Sequence, residues 1–226
     1  MVEFRRDPDG TLWSYEEGVR IARVITTEDI LLDNRPFLSA ASILEDQQAR
    51  SLGLDRYAAL VRTAGEKDVS RDPDFQRAFN AFYRIRRGAE WRKAYYQLFE
   101  RARKERLSFA DVIRALYEKT GNVEASFASK MIATLDPDKP VWDRYVLRNL
   151  ELELKGGNPE ERIGSAVSVY EQIVKWYQGY LSTDEAKKNI AAFDQRLPSY
   201  AWISAVKKID YLLWSRREGG GLCHLP

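Results

Sequence analysis

Asp143 is the residue best placed to do chemistry. It follows the apolar pair Val141-Trp142 and precedes Tyr145, Val146 and Leu147. A carboxylate in that setting is partly shielded from water, and the backbone N–H groups of a new helix can orient it. Held in place, it can stabilise a developing cation or activate a water molecule. The same position also suits an ordinary N-cap Asp after a Pro-containing loop, and spacing alone does not separate the two. Lys130 lies thirteen residues earlier, on the preceding helical stretch. A lysine snorkelling from a helix flank is its plainer reading.

Composition narrows the chemistry. The chain has 226 residues, with one cysteine, Cys223, and one histidine, His224, both in the segment Gly219-Gly220-Gly221-Leu222-Cys223-His224. That segment reads as a frayed terminus. Cys/His zinc clusters, Ser-His-Asp triads and Cys-His nucleophiles are therefore excluded. Asp, Glu, Lys, Tyr and backbone groups remain, and neither a metal nor a cofactor is expected. A lone cysteine allows no disulfide framework and points to a reducing compartment. No apolar run reaches the roughly 20 residues that span a bilayer. Met1-Val2-Glu3-Phe4-Arg5-Arg6 lacks the apolar core of a signal peptide. The expected setting is the cytoplasm, without a membrane.

Net charge is +2, so any polyanion partner must be read from local charge. Residues 84–106 carry nine cations against Glu90, Glu100 and Glu105. The leading cations are Arg84, Arg86, Arg87, Arg92 and Lys93, and Tyr83, Trp91, Tyr95, Tyr96 and Phe99 interleave with them. Such a face suits phosphate with stacking groups nearby, and it equally suits a solvated helix face over an aromatic core stripe. Arg144 adds a cation beside Asp143.

Helical periodicity dominates the elements that position these groups. Residues 1–35 are mixed, and Trp13-Ser14-Tyr15 and Ile21–Ile25 suit either a short helix or a strand. Helices are expected from Pro36 to Leu44, around Asp55–Arg62, from Asp72-Pro73 with buried Phe75, Phe79, Phe82 and Tyr83, and over 89–103. Ser108 and Asp111 form a capping box for the next, which stops at Thr120-Gly121-Asn122. Further helices are expected over 127–135, from Asp143 to near Leu154, over 159–180, after Ser182-Thr183, and after Pro198 with Trp202, Val206, Ile209, Leu213 and Trp214 at helical spacing. The fold class is all-α, a two-lobed helical bundle in a single domain spanning 1–226.

The run from Ser129 to Arg148, a helix, a Pro-marked loop and then Val-Trp-Asp opening a helix, resembles the catalytic segment of the helix-hairpin-helix DNA glycosylase superfamily. The resemblance is strongest over 75–150. Val206–Trp214 is similar to the closing helix of bacterial proteins with an oxoguanine-glycosylase-like fold, so that 159–217 would close the bundle. The resemblance implies a protein that flips a damaged or modified base from duplex DNA and cleaves its N-glycosidic bond. Asp143 would stabilise the cationic sugar. Lys130 would stand where bifunctional members keep an amine nucleophile. It lies about a turn too deep, and the hairpin Gly121-Asn122-Val123-Glu124-Ala125-Ser126 lacks the second glycine, so a monofunctional activity is expected. Trp142, Trp91 and the amides Gln47 and Gln48 would line the base pocket. Arg84, Arg86, Arg87, Arg92, Lys93 and Arg144 would meet DNA. A degenerate hairpin suggests a divergent member, with modified phage DNA as a substrate. The rivals are a non-catalytic DNA-binding protein on the same scaffold and a helical protein-interaction domain.

Overall fold

The computed structural model describes residues 2–6, 8, 12–17, 19–24 and 53–215. The first elements are strands: β1 (Val2–Arg6), β2 (Leu12–Glu16) and β3 (Val19–Val24), antiparallel in the order β1-β2-β3. Val2 pairs with Glu16 and Arg6 with Leu12, while the β2–β3 register shifts between Ser14 and Tyr15. Glu17, at φ 51°, supplies the left-handed corner between β2 and β3. Aromatic and β-branched residues crowd these strands, which favours pairing over helix. The exclusively helical expectation therefore holds only from residue 53 onward, although the described chain is mostly helical.

Nine α-helices follow among the described residues: α1 (Leu54–Glu66), α2 (Pro73–Phe82), α3 (Ala89–Glu105), α4 (Phe109–Thr120), α5 (Ala125–Leu135), α6 (Arg144–Asn149), α7 (Pro159–Leu181), α8 (Asp184–Arg196) and α9 (Ala205–Ser215). The caps explain the boundaries. Asp72 accepts from the N–H groups of Asp74 and Phe75, with Pro73 preset for the first turn. Ser108 and Asp111 exchange both capping-box bonds, and Gly121 ends α4 in the left-handed conformation at φ 69°. Asn158 and Thr183 cap α7 and α8.

Two helices depart from the sequence reading. α6 stops at Asn149 rather than near Leu154, because Glu151 turns left-handed at φ 54° and sends Leu150 and Leu152 into the core. α9 starts at Ala205, so Trp202 lies outside it and is 59% exposed. The expected helix at 36–44, along with Gln47, Gln48, Cys223 and His224, lies outside the described residues.

One continuous core of buried side chains runs from Leu54 to Leu212. Its densest part is aromatic. The Phe79 ring, fully buried, lies 4.7 Å from Tyr83, 5.3 Å from Phe99 and 5.5 Å from Phe75. Contacts at these separations stabilise beyond the area they bury. Phe79→Ala is expected to cost roughly 3–5 kcal/mol through cavity formation. Asp72→Ala, which removes a cap, should cost about 1 kcal/mol. Urea unfolding of both variants checks the order; a smaller loss at Phe79 would place the core elsewhere.

Candidate active site

α5 follows α4 after the short connection Gly121–Glu124 and packs against it. It carries a fully buried serine. Ser129 Oγ accepts the backbone N–H of Trp142 at 2.8 Å and donates to the Ser126 carbonyl at 3.0 Å. The Tyr170 hydroxyl on α7 donates to the Pro140 carbonyl at 3.0 Å, and the Ser204 hydroxyl donates to that of Pro137 at 2.6 Å. α5, α7 and Ser204, the residue just before Ala205, thus pin the loop that delivers Asp143.

Asp143 caps α6. Its Oδ1 accepts the Tyr145 N–H at 2.8 Å, and the carboxylate makes no direct ion pair among the described residues. Burial pushes its carboxyl pKa up, and the Asp210 charge adds to this. The Tyr145 N–H, Lys130 and Arg144 pull the other way. Lys130 is half-buried on α5, its Nζ 5.1 Å from the Phe127 ring and 5.8 Å from the Tyr83 ring. Its ammonium makes no hydrogen bond or ion pair among the described residues, while its backbone carbonyl accepts the Thr134 hydroxyl at 2.8 Å. Burial lowers its pKa, against the opposing charges of Asp143 and Glu124. The two residues expected on neighbouring helices are therefore electrostatically coupled without touching. A shared cleft is a different matter. Two hollows, of about 1740 and about 600 Å³, are lined by neither residue.

Behind Asp143 sits a group that the sequence reading missed. Asp210 on α9 is buried, accepts the Tyr177 hydroxyl at 2.9 Å and pairs with Lys207 Nζ at 2.8 Å. Lys207 Nζ also lies 5.0 Å from the Tyr57 ring on α1. Burial alone would lower the lysine's pKa; the Asp210 charge, the Tyr83 and Tyr57 hydroxyls and the bond to Asp210 together outweigh it and the pKa rises. The available signal was a Lys-x-x-Asp spacing inside an otherwise apolar helix.

The basic segment divides in two. Arg101 pairs with Glu105, and Arg103 and Lys104 share Glu100. Arg84, Arg86, Arg92 and Lys93 are exposed and make no ion pair among the described residues. Between them Arg87 is braced, donating to Glu124 at 2.7 Å with its guanidinium 5.7 Å from the Trp91 ring and 5.4 Å from Phe127. Trp91 stacks on Tyr95 at 4.9 Å, and its indole N–H is buried with no partner. Arg144 is exposed and lies over the Tyr145 ring at 4.7 Å. Trp142 takes the core alternative: its buried ring lies parallel to Phe109, which itself stacks on Tyr170 at 3.9 Å. It does not meet Trp91.

Among the described residues no cluster of three or more His, Cys, Asp or Glu side chains could hold a metal, and no helix is long and apolar enough to cross a membrane. Comparison with protein-family models, curated proteins and solved structures gave no match.

The raised Asp143 pKa has a testable sign. The folded state binds this proton more tightly than the unfolded chain, so its contribution to stability is present below about pH 3.9 and is lost as pH rises through the folded pKa. Asp143→Asn keeps the cap without the charge. Its urea midpoint should gain on that of the parent as pH rises through that window and then level off. A gap that does not change with pH would mean an unperturbed carboxylate.

Proposed function

We propose that this chain is a helix-hairpin-helix glycosylase-like protein that binds duplex DNA and releases a damaged or modified base, with Asp143 stabilising the cationic sugar. The carrying observation is the state of Asp143: half-buried, fixed by one backbone N–H, and unpaired with any arginine. In the step itself the bond between sugar C1′ and the base nitrogen breaks, and its electron pair leaves on the base. Water then adds to C1′ and gives up its proton to Asp143. Arg84, Arg86, Arg92 and Lys93 supply unneutralised charge for phosphate, and Arg87 holds its place beside them. The absence of Asp143 and Lys130 from the two large hollows favours a second reading, a non-catalytic DNA-binding protein on the same scaffold.

Abasic-site formation on a panel of modified duplexes, including phage DNA with hypermodified cytosines, separates the two. Asp143→Asn should cut base release by about a hundredfold or more, because a fixed charge in a closed site contributes several kcal/mol. Lys130→Ala should leave release intact, and borohydride should trap no protein–DNA adduct. A trapped adduct lost in Lys130→Ala overturns the monofunctional mechanism; no release from any duplex leaves the binder. Arg86→Ala with Arg92→Ala should weaken binding to all sequences and reduce the slope of log affinity against log salt by about one per lost phosphate contact. An unchanged slope returns this face to plain solvation.

A further inference from the structure

The two hollows adjoin across α1. Val61 lines both. One side holds Trp202, the large apolar side chain that the fold leaves 59% exposed, with Tyr200 and Ala58 beside it. The other is the groove of about 1740 Å³ that reaches α7, where half-buried Leu107, Leu135, Val167 and Val174 face the opening. Small-ligand sites are typically about 300–1,000 Å³, so the groove exceeds what one small molecule fills.

Charge on this surface is unbalanced. Arg62, Arg106, Lys139 and Lys175 line it and make no ion pair among the described residues. Arg20, Arg103 and Lys155 line it as well, so seven cationic side chains, of which Arg103 is paired with Glu100, face four lining carboxylates, Asp55, Asp136, Glu161 and Glu171. Asp55 accepts from the Tyr200 hydroxyl and Glu161 from the Gly157 N–H, bonds from neutral donors that leave both charges in place. An apolar trough with cations in excess complements an amphipathic helix with acids on its polar face. Nucleic acid fits less well. Within the groove itself the rings, Phe109 and Tyr170, are buried against each other at 3.9 Å and offer no face to a base, and the exposed ring of this surface, Trp202, lies across Val61.

We infer that the surface joining these two hollows across Val61 is a docking site for an acidic amphipathic helix of a protein partner, with Trp202 as an anchoring side chain. It lies apart from the Asp143 site and does not depend on the function proposed for that site.

The test uses the full chain and three labelled synthetic 18-residue peptides, read by fluorescence anisotropy. The first has leucines at helical i, i+3, i+4 and i+7 spacing with a glutamate polar face, the second replaces glutamate by lysine, and the third scrambles the first. The acidic amphipathic peptide should bind at least about tenfold more tightly than either control, as expected when both apolar register and charge are read. Val174→Glu and Trp202→Ala, both at solvent-reachable positions, should each weaken it about tenfold. Arg86→Ala should not. Equal binding of the scrambled or lysine peptide, or no effect of either substitution, overturns the proposal. A dimer in sedimentation that Val174→Glu converts to monomer would assign the surface to a second copy. DNA affinity lost in Val174→Glu would assign it to nucleic acid, and either result overturns the partner helix.

Discussion

Charge inside an apolar core is tolerated only where it is answered at short range, and that constraint organises this molecule. Asp210, Lys207 and the Tyr177 hydroxyl satisfy one another within 2.9 Å inside the helical body. A buried pair of this kind contributes little net stability against apolar replacements, but losing one partner is costly because the other is left stranded. The helices that carry the three groups must therefore keep their register. α9 packs on α6, α7 and α8, and the negative charge on α9 reaches Asp143 at the α6 cap. The carboxylate that the sequence singles out is thus perturbed from behind by a residue 67 positions away in the chain.

Local chemistry was legible. Asp72-Pro73, Ser108 with Asp111, Gly121 and Thr183 mark helix ends because their bonds run to backbone groups within a turn. Asp143 was legible as a cap for the same reason. What the sequence hid was non-local. The Arg87–Glu124 bond joins residues 37 apart, and it turns one member of an apparently uniform basic run into a braced side chain. Trp142 reads equally as a pocket wall or as core, and only the placement of Phe109 and Tyr170 decides. Trp202 continues a helical period on paper, yet the 3₁₀ turn Pro198–Tyr200 displaces it from the helix. In the N-terminal residues the sequence suits either a short helix or a strand, and pairing across Glu17 decides for strands.

The Asp143 region and the surface across α1 make different demands on the same scaffold. The first needs a single carboxylate held in place, and the pinned loop serves that. The second needs apolar area left open, which half-buried Leu107, Val167 and Val174 and exposed Trp202 supply. α5 separates them. It shows Lys130 and Phe127 toward the basic end and Ile132 and Leu135 toward the groove.

The contacts of α1 carry a topological consequence. Tyr57 lies under Lys207, and Asp55 takes the Tyr200 hydroxyl, so the first described helix is fastened to the last described helix and to the turn before it. The order of helices is thereby closed into a ring in space. In a ring, connectivity matters less than adjacency. A chain rejoined between α9 and α1 and opened instead at the exposed Gly156-Gly157 turn would keep every one of these neighbours.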